Sequence, residues 1–294
     1  MPTAGVFECV PNVSEGRRAD VIKAIADAAL DGGDVELLDT QSDAAHNRSV
    51  YTFVGNGEGV LAAAIRLAGE AIKRIDLRSH QGEHPRMGAV DVIPFVPVSG
   101  VTMDDAVALA RRCAQELWQR FQMPSYYYEF AALRPERRDL SELRKGQFEG
   151  LLQAVKEPAG HPDVGDAVLH PSAGIVAVGA RNFLIAYNVN LATSDVKVAE
   201  RIAVALRRRS GGLLGIKALG FSLSPTVVQV SMNVVDVNAI PLYRVTELIR
   251  REAAAEGIAL HNCELVGLAP LSAIAESAAY YLHLDSIDPH AITW

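Results

Sequence analysis

The sequence lacks the features that mark secreted, membrane-spanning and nucleic-acid-binding proteins. Its three cysteines (Cys9, Cys113 and Cys263) are odd in number, lie far apart and form no CxxC motif, so no disulfide framework is predicted. No apolar run approaches the roughly 18 residues that cross a bilayer. The formal net charge of −7 makes nucleic acid a poor candidate partner, although a local basic patch can still bind a small anion.

The N-terminus also lacks a targeting signal, because MPTAGVFECV has no basic stretch followed by an apolar core. Together with the cysteine pattern, this predicts a soluble cytoplasmic protein. Apolar sequence is abundant: hydrophobic residues make up 49% of the 294 residues and charged residues 21%. That composition supports a packed core, and the length gives room for one large domain or two of about 150 residues.

Hydrophobic periodicity indicates the same order of elements twice. In the first half, apolar strands and amphipathic helices follow one another as β-α-β-β-α-β: GVFECV, RRADVIKAIADAALDGG, DVELLDT, RSVYTFVG, GVLAAAIRLAGEAIKRI and AVDVIPFVPV. The same order returns from NFLIAYNVNL to ALHNCELVG. Between the two halves, 101–158 is predicted to form two more helices separated by a Tyr-rich stretch. Residues 159–180 are predicted to form a Gly- and Pro-rich loop with one short strand.

This repeat predicts an α+β protein with two βαββαβ units of the ferredoxin-like type, residues 1–180 and 181–294. Each unit is expected to form a four-stranded, mainly antiparallel sheet with helices on one face. A ligand cleft or tunnel is expected between the units, since such a cleft is a common place for a small molecule.

The stretch SHQGEHPRMGA contains His80, Glu83 and His84 in the order H-x-x-E-H, a pattern also found in zinc proteases. Zinc binding by this pattern needs both histidines on one face of a helix. Gly82 lies inside the motif, and Pro85 disfavours helical backbone at His84, so no metal site is predicted. Two alternatives remain. One is an exposed loop whose histidines have no functional role, and the other is a loop that performs proton chemistry.

The density of functional side chains favours proton chemistry. Arg86 and Asp91 follow the motif closely, just before a strand. Gly82 and Gly88 bracket this stretch and allow unusual backbone angles or a close approach to a ligand. Loops held by rigid elements are also where catalytic residues concentrate.

Two other loops have both a structural and a functional interpretation. SDAAHNRSV (42–50) is either a polar turn or a site with Asn47 as a hydrogen-bonding amide and Arg48 as a carboxylate clamp. PDVGDAVLHPSAG (162–174) is either a linker or the wall of a ligand site. For neither loop does the sequence alone decide between the structural and the functional interpretation.

The first strand-to-helix turn, CVPNVSEGRR, is a third such segment. Asn12 or Ser14 is placed to cap the following helix, which is the interpretation we favour. The free amides at the start of that helix are also suited to an anion.

Four blocks of the chain occur in a fixed order and together resemble the glutamate formiminotransferase family: ECVPNVSEGRR, HNRSVYTFVG, GEHPRMGAVDVIPFVPV and GARNFLIAYNVNL. This family is the formiminotransferase half of formiminotransferase-cyclodeaminase, and the resemblance covers nearly the whole chain. It implies two subdomains with a folate tunnel between them, in agreement with the repeat. The chain ends without the helical cyclodeaminase part, so a stand-alone transferase is expected.

The resemblance implies transfer of a formimino group from N-formimino-L-glutamate to N5 of tetrahydrofolate, a co-substrate, without a metal. It assigns the catalytic role to His84, the histidine of GEHPRMG. Histidine suits this reaction, because N5 must lose a proton and the departing glutamate nitrogen must gain one near neutral pH. The family is commonly dimeric, so a homodimer is expected. The expected partners are the two small molecules, with neither nucleic acid nor membrane.

The expected substrate-binding residues come partly from the resemblance and partly from the chemistry. The family's folate-contacting loop corresponds to about residues 162–171. A carboxylate beside the cationic amidine is useful, and the two carboxylates of the donor favour arginine partners. The resulting set is Asn12, Asp39, Asn47, Arg48, Glu83, Arg86, Asp163, Gly165, His170 and Arg181.

Two alternatives stay open at the level of sequence. One is an enzyme with the same fold and the same histidine that acts on 5-formyltetrahydrofolate. The other is a non-catalytic folate-binding protein, against which the intact GEHPRMG motif argues. Turnover of a formimino donor separates these alternatives from the transferase.

Overall fold

Each half of the chain forms its own β-sheet. The computed structural model describes residues 5–44, 46–82, 85–207, 212–213, 215–236 and 240–288. The chain divides into two compact units, Met1–Arg181 and Asn182–Trp294. Helices and strands both occur in each unit, which confirms the predicted α+β class. No helix within the described ranges is long and apolar enough to cross a membrane.

The first unit contains seven strands and five α-helices in its described residues. The strands are β1 (Val6–Cys9), β2 (Asn12–Val13), β3 (Val35–Asp43), β4 (Arg48–Gly55), β5 (Val90–Ser99), β6 (Ser125–Glu129) and β7 (Val176–Ala180). The helices are α1 (Ala19–Leu30), α2 (Gly57–Arg74), α3 (Met103–Phe121), α4 (Leu140–Leu143) and α5 (Gln147–Ala154). Short 3-10 turns occupy Pro135–Arg137 and Pro158–Gly160.

The strand order shows how the predicted unit is built into this larger sheet. β3 pairs with β4, and both β1 and β2 lie between β4 and β5, all antiparallel. The first strand ends before Pro11, as predicted, because proline has no N–H to donate, and β2 follows it in the same place in the sheet. This order is that of a βαββαβ unit of the ferredoxin-like type. β7 then adds to β5, and β6 to β7, both in parallel, which gives seven strands instead of the four predicted.

The two faces of the first sheet have different surroundings. Helices α1, α2 and α3 pack on one face. There, a Cβ atom added to Gly57 of α2 would lie 3.3 Å from the ring of Phe7, and the Tyr51 hydroxyl donates to the carbonyl of Ile22 in α1 at 3.1 Å. Because side chains alternate along a strand, Glu8 points to the opposite face, hereafter called the far face.

Two predictions for the segment after α3 are wrong in detail. The Tyr-rich stretch, expected to connect two helices, is strand β6, and Tyr126, Tyr127 and Tyr128 are all buried. Aromatic residues favour strands, and burial of consecutive side chains hides the alternation that would reveal one. The second expected helix is divided into α4 and α5 at Gly146, which has a φ of +81°. Glycine adopts this conformation at no steric cost.

The second unit matches the predicted order of elements more closely. Its strands are β8 (Ile185–Leu191), β9 (Ile216–Ser224), β10 (Val227–Val234) and β11 (Leu260–Val266). Its helices are α6 (Val196–Leu206), α7 (Leu242–Ala255) and α8 (Leu271–Leu282), of which α8 was not predicted. The sheet order β11-β8-β10-β9 is antiparallel throughout and again that of a ferredoxin-like βαββαβ unit.

The core of the second unit follows the alternation read from its sequence. Val189 of β8 and Val230 of β10 are fully buried, as are Val245 and Ile249 of α7. They belong to one apolar cluster that also includes α6. The strand alternation and the helical spacing therefore agree on a single buried face.

The turn before α1 is held by Glu15, a residue that was not predicted to have a structural role, and no side chain caps the helix itself. Asn12 donates to the carbonyl of Val10 at 2.8 Å, and Ser14 donates to the carbonyl of Gly88 at 2.7 Å, so neither caps the helix. Glu15 holds the turn that precedes the helix. One of its carboxylate oxygens accepts from the backbone amides of the two residues that follow Gly16, each at 2.9 Å.

The pKa of Glu15 reflects this arrangement. Burial raises it, but the amides of Arg18 and Arg17 and the guanidinium of Arg18 outweigh burial, so the pKa is lower than usual. A lowered carboxyl pKa stabilises the folded chain above the unfolded-state value, and this contribution disappears as pH falls through the folded-state value.

We predict that Glu15→Gln lowers the free energy of unfolding by about 1–2 kcal/mol at pH 7, because charge-assisted hydrogen bonds to the turn before α1 are lost. Urea denaturation should show the difference shrinking as pH falls below about 4.3, the ordinary glutamate pKa. Glu36→Gln, at an exposed position of β3, is the control and should have little effect. A Glu15 effect that is the same at pH 7 and at acid pH would contradict the electrostatic account.

Candidate active site

Asn47 joins three segments of the first unit. Its amide nitrogen donates to the carbonyl of Gln81 at 2.9 Å, and its amide oxygen accepts from the backbone N–H of Gly16 at 2.9 Å. Its own backbone has a φ of +50°, a left-handed conformation that asparagine tolerates better than most residues. Gly82 lies close by, since a Cβ atom there would be 2.3 Å from the carbonyl oxygen of His46. This close approach requires glycine.

The centre of the predicted catalytic motif, Glu83 and His84, lies outside the described residues. The catalytic role of His84 therefore stays a prediction, as does the role of Glu83 beside the amidine. The metal interpretation of H-x-x-E-H also stays untested. Within the part of the chain that the structure describes, no group of three His, Cys, Asp or Glu side chains has a metal-binding arrangement.

His80, the first residue of that motif, has both ring nitrogens engaged. Nε2 lies 3.1 Å from the carbonyl oxygen of Asn47, and Nδ1 lies 3.3 Å from Nε of Arg86. Since Arg86 can only donate, Nδ1 accepts and the proton is on Nε2. Burial lowers the pKa of His80, and the charge of Arg86 adds to this, against the opposing effect of the bond to Asn47. His80 is thus a neutral positioning residue.

Arg86 uses all five of its N–H groups within the protein. Besides the bond to Nδ1 of His80, Nη1 donates to Gln147 at 2.9 Å and to Glu149 at 2.8 Å. Nη2 donates to Glu149 at 2.6 Å and to the carbonyl of His80 at 3.3 Å. An arginine has five such donors, so none is left for a substrate carboxylate. Arg86 therefore holds the loop against α5, which favours a structural role over the predicted contact with a ligand.

A second charged cluster centres on Asp91, which is buried. Its carboxylate accepts from the backbone N–H of Met87 at 2.9 Å and from Nη2 of Arg144 at 2.5 Å. Burial, followed by the nearby charge of Arg144, lowers the pKa of Arg48 to about 9, and Asp91 opposes this shift. Arg48 therefore lies near both groups, and it lines the same crevice as Asp91. Arg144 was not predicted, because no local pattern marks a partner 53 residues away.

Two adjoining openings share His80 and Arg86, which flank Glu83 and His84 in sequence. One is a pocket of about 330 Å³ lined by Arg78, Ser79, His80, Gln81, Gly82, Arg86 and Glu149. The other is a narrow crevice lined by Ser14, His46, Asn47, Arg48, His80, Arg86 and Asp91. A volume near 300 Å³ is at the lower end of the range for small-molecule sites. The described part of the chain thus presents a polar recess at the predicted site.

The loop that begins at residue 162 is tied into the fold by Asp163. Its carboxylate forms an ion pair with Nη1 of Arg137 at 2.6 Å and accepts from the backbone N–H of Tyr127 at 2.8 Å. Both side chains of the pair are 4% exposed, and the Arg137 guanidinium lies 4.6 Å from the centre of the Tyr126 ring. These contacts favour a structural role for Asp163, in place of the predicted folate contact.

Two other predicted folate-loop residues also have internal contacts. Gly165 has a φ of +101°, and a Cβ atom there would lie 2.8 Å from the ring of Trp118. His170 is half-buried, and its Nδ1 accepts from the backbone amides of Ala173 at 3.0 Å and Ser172 at 3.4 Å. Burial lowers its pKa. Close packing against Trp118 accounts for glycine at position 165, and the bonds to two backbone amides account for histidine at position 170. Neither explanation needs a ligand.

The remaining predicted residues, Asn12, Asp39 and Arg181, are not among those that line the two openings, and they lie on or beside the far face. Asp39 stands opposite Thr52 in the sheet register, and Asn12 opposite Val50. Arg181 directly follows β7, where its N–H donates to the carbonyl of Phe95 at 3.1 Å. The predicted site residues thus separate into a crevice group, a folate-loop group and a far-face group.

Comparison with known proteins identifies the family of the chain. Residues 6–181 match the family described as "Formiminotransferase domain, N-terminal subdomain", and residues 186–288 match "Formiminotransferase domain". The chain belongs to the formiminotransferase family. This confirms the resemblance seen in GEHPRMG and the other three sequence blocks.

Formiminotransferase relatives match over nearly the full length of the chain. It is 43% identical over 288 residues to glutamate formimidoyltransferase of Streptococcus pyogenes serotype M1, covering 98% of this chain and 96% of that protein. It is 44% identical over 286 residues to glutamate formimidoyltransferase of Thermoplasma acidophilum, covering 96% and 94%. Formimidoyltransferase-cyclodeaminase of Rattus norvegicus is 41% identical over 289 residues, covering 96% of this chain and 53% of that protein.

We predict that Asp163→Asn destabilises this formiminotransferase by about 3–5 kcal/mol, because it leaves the buried Arg137 charge without its partner. The matched control is Glu58→Gln, which removes a pair with Arg112 whose side chains are 75% and 48% exposed. That pair should contribute less than about 1 kcal/mol. Urea denaturation measures both. A loss of tetrahydrofolate affinity in Asp163→Asn with unchanged stability would instead support a folate contact.

Proposed function

We propose that the chain is a glutamate formimidoyltransferase that moves the formimino group of N-formimino-L-glutamate to N5 of tetrahydrofolate. The observation that carries this proposal is the identity of 43–44% over nearly the full length of two proteins of that name. Residues 1–180 and 181–294 are proposed as its two subdomains. On the strength of the family resemblance, we also propose a cytoplasmic homodimer.

The proposed chemistry needs one group that takes a proton and returns it. N5 of tetrahydrofolate attacks the amidine carbon of the donor, which forms the new C–N bond and leaves a surplus proton on N5. The bond from that carbon to the glutamate nitrogen then breaks, and this nitrogen gains a proton. We assign both transfers to His84, since a histidine changes protonation near neutral pH.

The described residues support this role from the flanks of the motif. Neutral His80 bridges Asn47 and Arg86, and Arg86 is fully engaged with Glu149 of α5, so both sides of the motif are anchored. Arg48 lies in the crevice near Asp91 and is retained as a partner for a donor carboxylate. Asp39 and Glu83 are retained as carboxylates for the cationic amidine.

The proposed function is tested by incubating the full chain with tetrahydrofolate and N-formimino-L-glutamate and following the folate product by mass. A mass increase corresponding to one formimino group, together with release of glutamate, is expected. The rate should be unchanged by EDTA, because Gly82 and Pro85 disfavour the helix that a zinc H-x-x-E-H site needs. Turnover of 5-formyltetrahydrofolate alone, or folate binding with no turnover of any donor, would overturn the proposal.

We predict that His84→Ala lowers kcat by about 10²–10⁴-fold, the usual contribution of a general acid-base group. Tetrahydrofolate affinity should stay within about tenfold, since the lost interaction belongs to the transition state. His80→Ala is the matched control and should cost much less, because a neutral ring with both nitrogens engaged by the protein does not transfer the proton. Steady-state kinetics that show a near-normal His84 variant, or a dead His80 variant, would move the proton-transfer role elsewhere.

A further inference from the structure

Glu8 is a buried carboxylate on the far face of the first sheet, at a place that the proposed chemistry does not use. In the sheet register it stands opposite Val54 of β4 on one side and Val96 of β5 on the other. It is 8% exposed. A glutamate in the middle of a sheet, between two valines, is an unusual choice for a position that only needs packing.

The Glu8 carboxylate has no hydrogen-bond donor and no ion-pair partner within bonding distance among the described residues. Glu15 and Asp91 are buried to a similar degree, yet each accepts at least two hydrogen bonds. Burying an unpaired carboxylate is costly, so such a group is retained where something else compensates. Burial raises the pKa of Glu8, and the charge of Arg181 lowers it only in part.

Aromatic and charged groups surround Glu8 on the far face. Tyr128 of β6 lies across Gly179 of β7, where a Cβ atom would be 2.4 Å from the ring. Burial raises the pKa of Tyr128, and Arg181 opposes this shift, as it does for Glu8. One guanidinium therefore acts on both groups. The far face thus brings together the carboxylate of Glu8, the phenol of Tyr128 and the guanidinium of Arg181.

A carboxylate with two free oxygens is matched by a planar N–C–N unit that presents two parallel N–H donors. Each of the two substrates proposed above contains such a unit. In the donor it is the formimino amidinium, which is also cationic. In tetrahydrofolate it is the amino-pyrimidinone edge of the pterin ring.

We propose that Glu8 binds the N–C–N group of a substrate through two parallel N–H donors at the far face of the first sheet. The choice of ligands rests on the proposed function, whereas the observation that the Glu8 carboxylate is unpaired is independent of it. The competing explanation is structural, namely that Glu8 serves only to offset the charge of Arg181.

The test compares Glu8→Gln with Glu36→Gln in the full chain. Glu36 is the matched control, because it flanks the same Val54 in the register but is exposed. Calorimetry measures the dissociation constants of N-formimino-L-glutamate and of tetrahydrofolate separately. We expect Glu8→Gln to weaken one of the two by about 10- to 100-fold, as for hydrogen bonds to a charged group, while Glu36→Gln changes neither.

The ligand that weakens identifies the source of the N–C–N group: the donor indicates the amidinium and tetrahydrofolate the pterin. The melting temperature of Glu8→Gln should stay the same or rise, since the substitution removes a costly buried charge. A fall in melting temperature, or dissociation constants for both ligands within about threefold of wild type, would overturn the proposal, as would a wild-type chain that binds neither. Because binding is measured without turnover, a chain that binds through Glu8 but transfers nothing would refute the proposed function alone.

Discussion

The crevice depends on a single side-chain amide. Asn47 holds the turn before α1 through Gly16 and the loop before β5 through Gln81, while its own carbonyl receives His80. These segments come from separate parts of the chain and meet only because β2 and β5 lie side by side in the sheet. Glycines at 16 and 82 allow the backbones to approach closely enough for these bonds to form.

The parts of the fold that could be predicted are those decided by local patterns. Both βαββαβ units were recognised because each strand and helix has its own periodicity, and their strand orders follow from that topology. The short strand expected within 159–180 is β7, but its parallel pairing and the whole of β6 could not be predicted in the same way. They pair β5 with residues far downstream, and their consecutive buried side chains show no alternation.

The candidate site shows the same limit at the level of side chains. Asn47, Arg48 and Arg86 were selected from the sequence by residue type and position, but the sequence did not indicate how many of their hydrogen bonds the protein itself would satisfy. Arg86 was expected to bind substrate, yet Glu149, 63 residues away, occupies it. Residue type thus indicates what a group can bind, whereas availability depends on partners that only the folded chain brings together.

The parallel strands added to the first sheet also affect the order in which the parts of this unit fold. Backbone hydrogen bonds with N···O distances of 2.8–3.0 Å join segment 172–175 to Leu77, Met87 and Ala89. These bonds hold the loop that contains the motif. These contacts join residues separated by most of the unit, and closing such long loops is slow because entropy is lost before contacts compensate. During synthesis, the helices and hairpin of the first unit can therefore form early, whereas the motif loop is locked only after residue 175 has been made. The loop proposed to perform the chemistry is thus among the last parts of this unit to acquire its native shape.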